Sequence, residues 1–225
     1  MKIAILGSGN MGRALGTRWA NLSHEVIFAA RKSEKAEVAA AEAGKNARAA
    51  SLNNAASEAD ILFWSPRERN PLNVLSDLSV LEGKIIIDLA NRSMDEVRSG
   101  AELPVPLAVM LAEQMPGAKV VKAFNTLAME AFDIDADALR AADAELPIAG
   151  DDKEAKTVLS TLIEPLGFRV RDLGGLDSSR TLELLADAVR LGMMGGLGWR
   201  VHLAFRELPE NDLGLLGERG ETSYG

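Results

Sequence analysis

The chain has no cysteine, and its 225 residues include only 2 histidines and 8 prolines. Without thiols there is no disulfide framework and no Cys-ligated zinc or iron–sulfur centre. His24 and His202 are too far apart to give metal-ligand spacing, and neither an H-E-x-x-H segment nor a Ser-His-Asp arrangement can be assembled. His24 reads as a surface turn residue, and His202 serves packing as readily as ligation. Basic charge is also short. With 25 Lys+Arg against 33 Asp+Glu the formal net charge is −8, which opposes nonspecific attraction to phosphate backbones, and no local basic patch overrides it. Nucleic acid is therefore not an expected partner. Long apolar runs are missing too. Leu191 to Trp199 is nine residues and glycine-rich, against roughly 20 for a membrane-spanning helix. Ile3 to Leu6 is too short for a signal-peptide core, so no membrane segment is expected and the expected location is the cytoplasm.

What is present can build a core: 47% of residues are hydrophobic, enough for a globular domain and too many for general disorder. Ile3–Leu6 is a continuous apolar run ended by glycine, the signature of a strand buried on both faces. A helical period follows from Gly7 to Leu22. Further strands are predicted at Glu25–Ala29, Ala47–Ala50, Asp60–Trp64, Lys84–Asp88, Lys119–Phe124, Leu146–Gly150 and Phe168–Asp172, with a charged helix at Ser33–Ala43. Alternating strands and helices predict α/β architecture, a doubly wound Rossmann-type parallel sheet. From Ser178 the pattern turns helical, with Leu182, Leu185 and Val189 in period, a break at Gly192–Gly196, and resumption through Leu197, Val201, Ala204 and Phe205. The expected domains are residues 1–175, a small helical C-terminal unit over 176–208, and a flexible tail over 209–225.

One motif carries chemistry. Gly7-Ser8-Gly9-Asn10-Met11-Gly12 is a G-x-G-x-x-G placed between a first strand and a first helix, the setting that marks a dinucleotide site. Gly7 allows the tight turn, Gly9 lets backbone approach a pyrophosphate, and Gly12 lets the helix pack on the strand. The helix N-terminus supplies unpaired N–H groups to the phosphates. An NAD site would place an acid about 20 residues on, at the end of the second strand. Here the strand runs into Ala30, Arg31 and Lys32, and Arg31, Lys32 and Lys35 offer positive charge where a 2′-phosphate would lie. The cofactor read from these residues is NADP(H). Arg67-Glu68-Arg69 gains interest only from its place at the carboxyl end of a strand, Met193-Met194 reads first as core filler, and the strand position of Lys122 points to a structural role.

Lys122-Ala123-Phe124-Asn125-Thr126 brings in a resemblance. Together with the opening Lys2-to-Gly12 string, Arg31 with Glu34-Lys35-Ala36, Pro116 to Lys119, Gly150-Asp151-Asp152 and Leu173 to Arg180, it resembles the NADPH-dependent deazaflavin (coenzyme F-420) reductase family. That family's nucleotide domain is shared by STEAP-type ferric reductases. The resemblance covers about residues 1–208. It implies a pyrophosphate over Ser8 to Met11, a 2′-phosphate against Arg31 and Lys35, and a nicotinamide near Ser65, Pro66, Ala123 and Asn125. The acceptor would face the cleft toward the glycine-rich C-terminal unit, at Asn125, Met194, Gly195 and Gly196. Ala30, Arg67 and Arg92 depart from the family's usual serine, aromatic and proline.

The expected function is hydride transfer between NADP(H) and a flat acceptor, a deazaflavin such as coenzyme F-420 or a flavin. Two stacked redox rings need positioning more than a general acid, so no catalytic side chain is assigned. Two other readings compete. One is an NADPH-dependent reductase of a small imine or carbonyl, because the opening is also similar to pyrroline-5-carboxylate reductase. The other is a non-catalytic NADP(H)-sensing module. The apolar C-terminal helices could cover the chain's own cleft or pair two copies in a homodimer.

Overall fold

The computed structural model describes residues 1–66, 68–100 and 104–206. In chain order the elements are β1 (Lys2–Leu6), α1 (Asn10–Asn21), β2 (Glu25–Ala29), α2 (Ser33–Ala43), β3 (Ala47–Ala49), α3 (Leu52–Glu58), β4 (Ile61–Trp64), β5 (Ile85–Asp88), α4 (Met94–Arg98), α5 (Leu107–Glu113), β6 (Lys119–Lys122), α6 (Ala136–Ala141), β7 (Glu145–Gly150), α7 (Lys153–Ile163), β8 (Arg169–Asp172) and α8 (Ser179–Gly192). The strands form one sheet in the order β3-β2-β1-β4-β5-β6-β7-β8. The chain starts in the middle, builds outward to β3, then returns to the other side of β1 with β4. That reversal is the switch point at which a Rossmann-type sheet opens a ligand crevice.

Side chains of β1 alternate between two cores, as a period of two requires. Ile3 and Ile5 meet Leu15 and Trp19 of α1, Phe28 and Phe63, and this core continues through Phe124 to α6 and α7. Ala4 and Leu6 face the opposite way, onto α3, Trp64 and α5. Both faces are covered, which is why the central strands read as unbroken apolar runs.

Three expectations need correction. The strand predicted through Phe124 stops at Lys122, because Phe124 takes φ +63° and turns the chain out of the sheet. Asn125 is therefore a loop residue and not a strand end. The sheet is not wholly parallel: β7 pairs antiparallel with β6, Lys122 opposite Ala149, and then parallel with β8. Finally, the helical period does not resume after the glycine break. α8 ends at Gly192, a wide turn covers Met193–Leu197, and residues 198–206 have no regular secondary structure. The apolar spacing of Leu197, Val201 and Phe205 is real, but Gly196 at φ +106° and Gly198 at φ +78° break the backbone path. Residues 207–225, the end of the expected helical unit and the tail, lie outside the described residues. No helix among the described residues is long and apolar enough to cross a membrane.

Candidate functional site

The glycine turn does three separate jobs. Gly7 sits at φ +101°, and a Cβ there would lie 3.2 Å from Ser65 at the end of β4. Gly12 packs α1 on the sheet, since its Cβ would fall 2.4 Å from the Gly7 carbonyl and 2.8 Å from Ile5. Gly9 differs from both: a Cβ would meet nothing within 4 Å. It stands at the N-terminus of α1, which has no side-chain cap and no acid in its first turn. The first helical bond runs from the Arg13 N–H to the Gly9 carbonyl at 2.9 Å, so the amides of Asn10, Met11 and Gly12 precede the helical ladder. Backbone donors facing open space are what an oxyanion of a dinucleotide needs, and the turn fits that group. Ser8 is buried with its hydroxyl 3.4 Å from the Ala29 carbonyl, to which it donates.

From this turn a cavity of about 800 Å³ runs along the carboxyl edge of the sheet. β1 contributes Gly7, Gly9, Asn10 and Met11 through its turn, β4 contributes Ser65, Pro66, Glu68 and Arg69, β5 contributes Asp88 to Arg92, and β6 contributes Phe124, Asn125 and Leu127. α4, the Leu107, Met110 and Leu111 side of α5, and Arg190 of α8 close it. Among the described lining residues there is no His, Lys or Tyr.

The structure thus gathers Gly7, Gly9, Asn10, Met11, Ser65, Pro66 and Asn125 around one space. Gly12 and Ser8 lie beneath the turn, and Ala123 is fully buried behind the cavity. Arg31, Lys32 and Lys35 are exposed beyond the end of β2 and outside the lining, although the Arg31 charge reaches Glu68. The Asn70 N–H, the Asn73 side chain and that charge hold Glu68 below the usual carboxylate range. Met194, Gly195 and Gly196 do not line the cavity. They form an exposed turn after α8, where the Met194 sulfur accepts from the Arg98 guanidinium at 3.5 Å. Arg67 lies outside the described residues.

Charged pairs bind the walls together. Arg69, after β4, pairs with Glu96 of α4, which also caps its own helix by accepting from the Ser93 N–H at 2.8 Å. The Arg69 hydrogen bond and the Ser93 backbone bring Glu96 down to about 2. Deeper in, Lys122 and Asp88 stand opposite each other on adjacent strands, and the Lys122 ammonium donates to Asp88 Oδ2 at 2.8 Å, to Glu183 Oε1 of α8 at 3.1 Å and to the Ala90 carbonyl. Burial pushes the Glu183 carboxyl up against the opposing pull of Lys122. Arg92 forms a second buried pair with Asp187, one turn further along α8.

Asn125 is held from the same helix. Its Nδ2 donates to Asn91 Oδ1 at 3.0 Å and to the Leu182 carbonyl at 2.9 Å, and Asn91 Nδ2 donates to the Asn125 carbonyl at 2.8 Å. Both amide orientations are fixed by backbone carbonyls, which can only accept. The Asn125 amide hydrogens are thus committed to the protein and cannot serve a ligand carbonyl, contrary to the simplest reading of an asparagine at this edge. Its buried Oδ1 has no partner among the described residues.

Glu183 and Asp187 are the residues that sequence reasoning missed. Their i, i+4 spacing puts both on the buried side of α8 among Leu182, Ala186 and Val189. Two acids inside an apolar stripe were the available signal.

Comparison with known proteins gives the family. A family model described as NADP oxidoreductase, coenzyme F420-dependent, matches residues 2–92. The F420-dependent NADP reductase of Methanocaldococcus jannaschii is 31% identical over 202 residues, covering 82% of this chain and 89% of that protein. Metalloreductase STEAP3 of Rattus norvegicus is 29% identical over 188 residues, 82% of this chain, but the chain spans only 36% of that longer protein. A solved structure from Arthrobacter sp. FB24, described as a candidate F420-dependent NADP reductase, superposes with a TM-score of 0.70 at 31% identity, covering 88% of this chain and 95% of that one. The chain belongs to the coenzyme F420-dependent NADP oxidoreductase family and is an NADP-dependent oxidoreductase.

Proposed function

We propose that the cavity is a hydride-transfer site joining NADP(H) to a flavin-like or deazaflavin acceptor. The observation that carries this reading is the continuity of one cavity from the uncapped N-terminus of α1 to a wall whose described residues include no His, Lys or Tyr. The acceptor class also draws support from the M. jannaschii relative, named for F420.

In this reading the Gly7–Gly12 turn holds the pyrophosphate by backbone amides, and Arg31, Lys32 and Lys35 meet the 2′-phosphate. Ser65, Pro66 and Asn125 border the nicotinamide end, with Ala123 setting the path of the loop from behind. NADPH, when bound, supplies the hydride. The protein's own work is to hold the ring, exclude water and present the opposing wall at Leu89 to Arg92 and α5, against which a second flat ring fits. Met194, Gly195 and Gly196 stand outside that wall, so the acceptor is assigned to the cavity and not to the glycine turn after α8.

Anaerobic mixing of the protein with NADPH and coenzyme F420, or a free flavin, followed by the loss of NADPH absorbance, tests it. Oxidation at a rate that saturates with acceptor is expected. A protein that binds NADPH but reduces no flavin-type acceptor would return the choice to a small imine or carbonyl substrate, or to a sensing module.

A further inference from the structure

The Asp88–Lys122–Glu183 cluster lies behind the cavity wall, which Asp88 alone of the three lines, and it is deeply buried: Lys122 is 0% exposed, Asp88 1% and Glu183 5%. Ionised side chains in an interior cost free energy that apolar residues of the same volume would avoid, so such a group is weak evidence for stability. What ions provide and apolar residues do not is direction. Here the hydrogen bonds lead to two parts of the cavity wall, Ala90 and the start of α5. Lys122 donates to the Ala90 carbonyl, and Asp88 Oδ1 accepts from the Ala90 N–H at 3.0 Å, so the N–H and the carbonyl of one lining residue are both clamped. Glu183 Oε1, besides receiving Lys122, accepts from the Leu107 N–H at 2.9 Å. Leu107 begins α5 and lines the cavity, and its helix has no local side-chain cap because Pro106 stands at the capping position.

We propose that Lys122 is a positioning residue for hydride transfer: its hydrogen bonds fix Ala90 directly and the start of α5 through Glu183, and these form the wall against which the acceptor ring is aligned. The inference rests on the reading of the cavity as a hydride-transfer site. The phosphate-binding turn lies at the other end, so Lys122 governs alignment and not dinucleotide affinity.

Three variants test this: Lys122→Met, Glu183→Ala and Glu183→Gln, read by steady-state kinetics with NADPH and a flavin-type acceptor, NADPH binding by calorimetry, and amide hydrogen exchange. Lys122→Met strands two carboxylates together and can fail to fold. Glu183→Ala leaves a neutral Asp88–Lys122 pair and decides the matter in that case. The expected result is a kcat about ten- to a hundredfold lower, the scale of a small misplacement of reacting groups, with NADPH affinity unchanged and faster exchange at Leu107. Glu183→Gln, which keeps the acceptor oxygen, recovers part of the lost kcat. A folded Glu183→Ala protein with the kcat of the unmodified chain overturns the proposal, as does a parallel loss of kcat and NADPH affinity, or a glutamine no better than alanine. If the unmodified chain turns over no flavin-type acceptor, the hydride-transfer reading fails instead. Exchange then judges the positioning by itself, and unchanged protection of Leu107 in Glu183→Ala overturns it.

Discussion

A valine at Gly9 separates folding from binding. The residue's φ of −80° suits any side chain and a Cβ there meets nothing within 4 Å, so Gly9→Val is expected to melt at the temperature of the unmodified chain. Its branched side chain fills the space before the amides of Asn10 to Gly12, and NADP binding by calorimetry is lost. Retained binding would put the phosphates elsewhere. Arg31→Ala addresses cofactor choice. Removing one charge-assisted contact weakens NADPH by about 1.5–3 kcal/mol, roughly ten- to a hundredfold, with little change for NADH. Equal losses for both cofactors would refute the 2′-phosphate assignment. The turn at Gly7 and the close packing at Gly12 were legible because their spacing follows from the turn itself. Gly16 was not legible: its Cβ would lie 2.4 Å from the Phe28 ring, a packing demand set by β2 that no local spacing encodes.

Helix α8 behaves as a latch. Its inner side offers Leu182 O, Glu183 and Asp187 to Asn125, Lys122 and Arg92, which belong to the loops after β5 and β6 or to β6 itself. Asp187→Ala removes the carboxylate from a pair whose side chains are 14% and 6% exposed. Breaking such a buried pair is expected to cost about 3 kcal/mol of unfolding free energy, measured by denaturant titration. A loss within a few tenths would mean that the Arg92–Asp187 pair contributes nothing to holding the helix. The strands were readable from sequence because runs such as Ile85–Ile87 and Val120–Val121 are buried on both faces. The latch was not, since Asp88 and Lys122 meet only through strand register and Glu183 arrives from 61 residues further on. The helix expected beyond Gly198 failed for the opposite reason, a legible period on a backbone that glycine redirects.

Acid should loosen the molecule at two places at once. Burial works to raise the Glu145 carboxyl, but hydrogen bonds from Arg171, the Phe205 N–H and Arg169 bring it down to about 2, and Glu96 is also held at about 2. Carboxyls depressed in the folded state contribute stability that is complete above their ordinary value of 4.5 and is lost as pH falls through the folded value. Thermal melts are therefore expected to drop between pH 4.5 and about 2, and Glu145→Gln should flatten that drop. An unaltered slope would show that the Glu145 carboxylate is not linked to folding.

At the same whole-molecule scale, the aromatic chain carries a consequence for dissection. Trp19 meets Phe63 and Phe124 at 5.8 Å, Phe124 meets Phe132 and Phe132 meets Phe168 at 6.0 Å, and the Trp19 indole donates to the Leu162 carbonyl. The segment that matches the family model ends at residue 92, before Phe124 and Leu162 are made. Cut there, α1 keeps a tryptophan with its donor unpaired, and β5 becomes a bare edge presenting Ile85, Ile86 and Ile87. Residues 1–92 expressed alone are expected to aggregate, and a soluble, cooperatively melting fragment would contradict this. The family model marks the first two-fifths of the chain, but the smallest piece that can be transplanted into another protein reaches at least to α7.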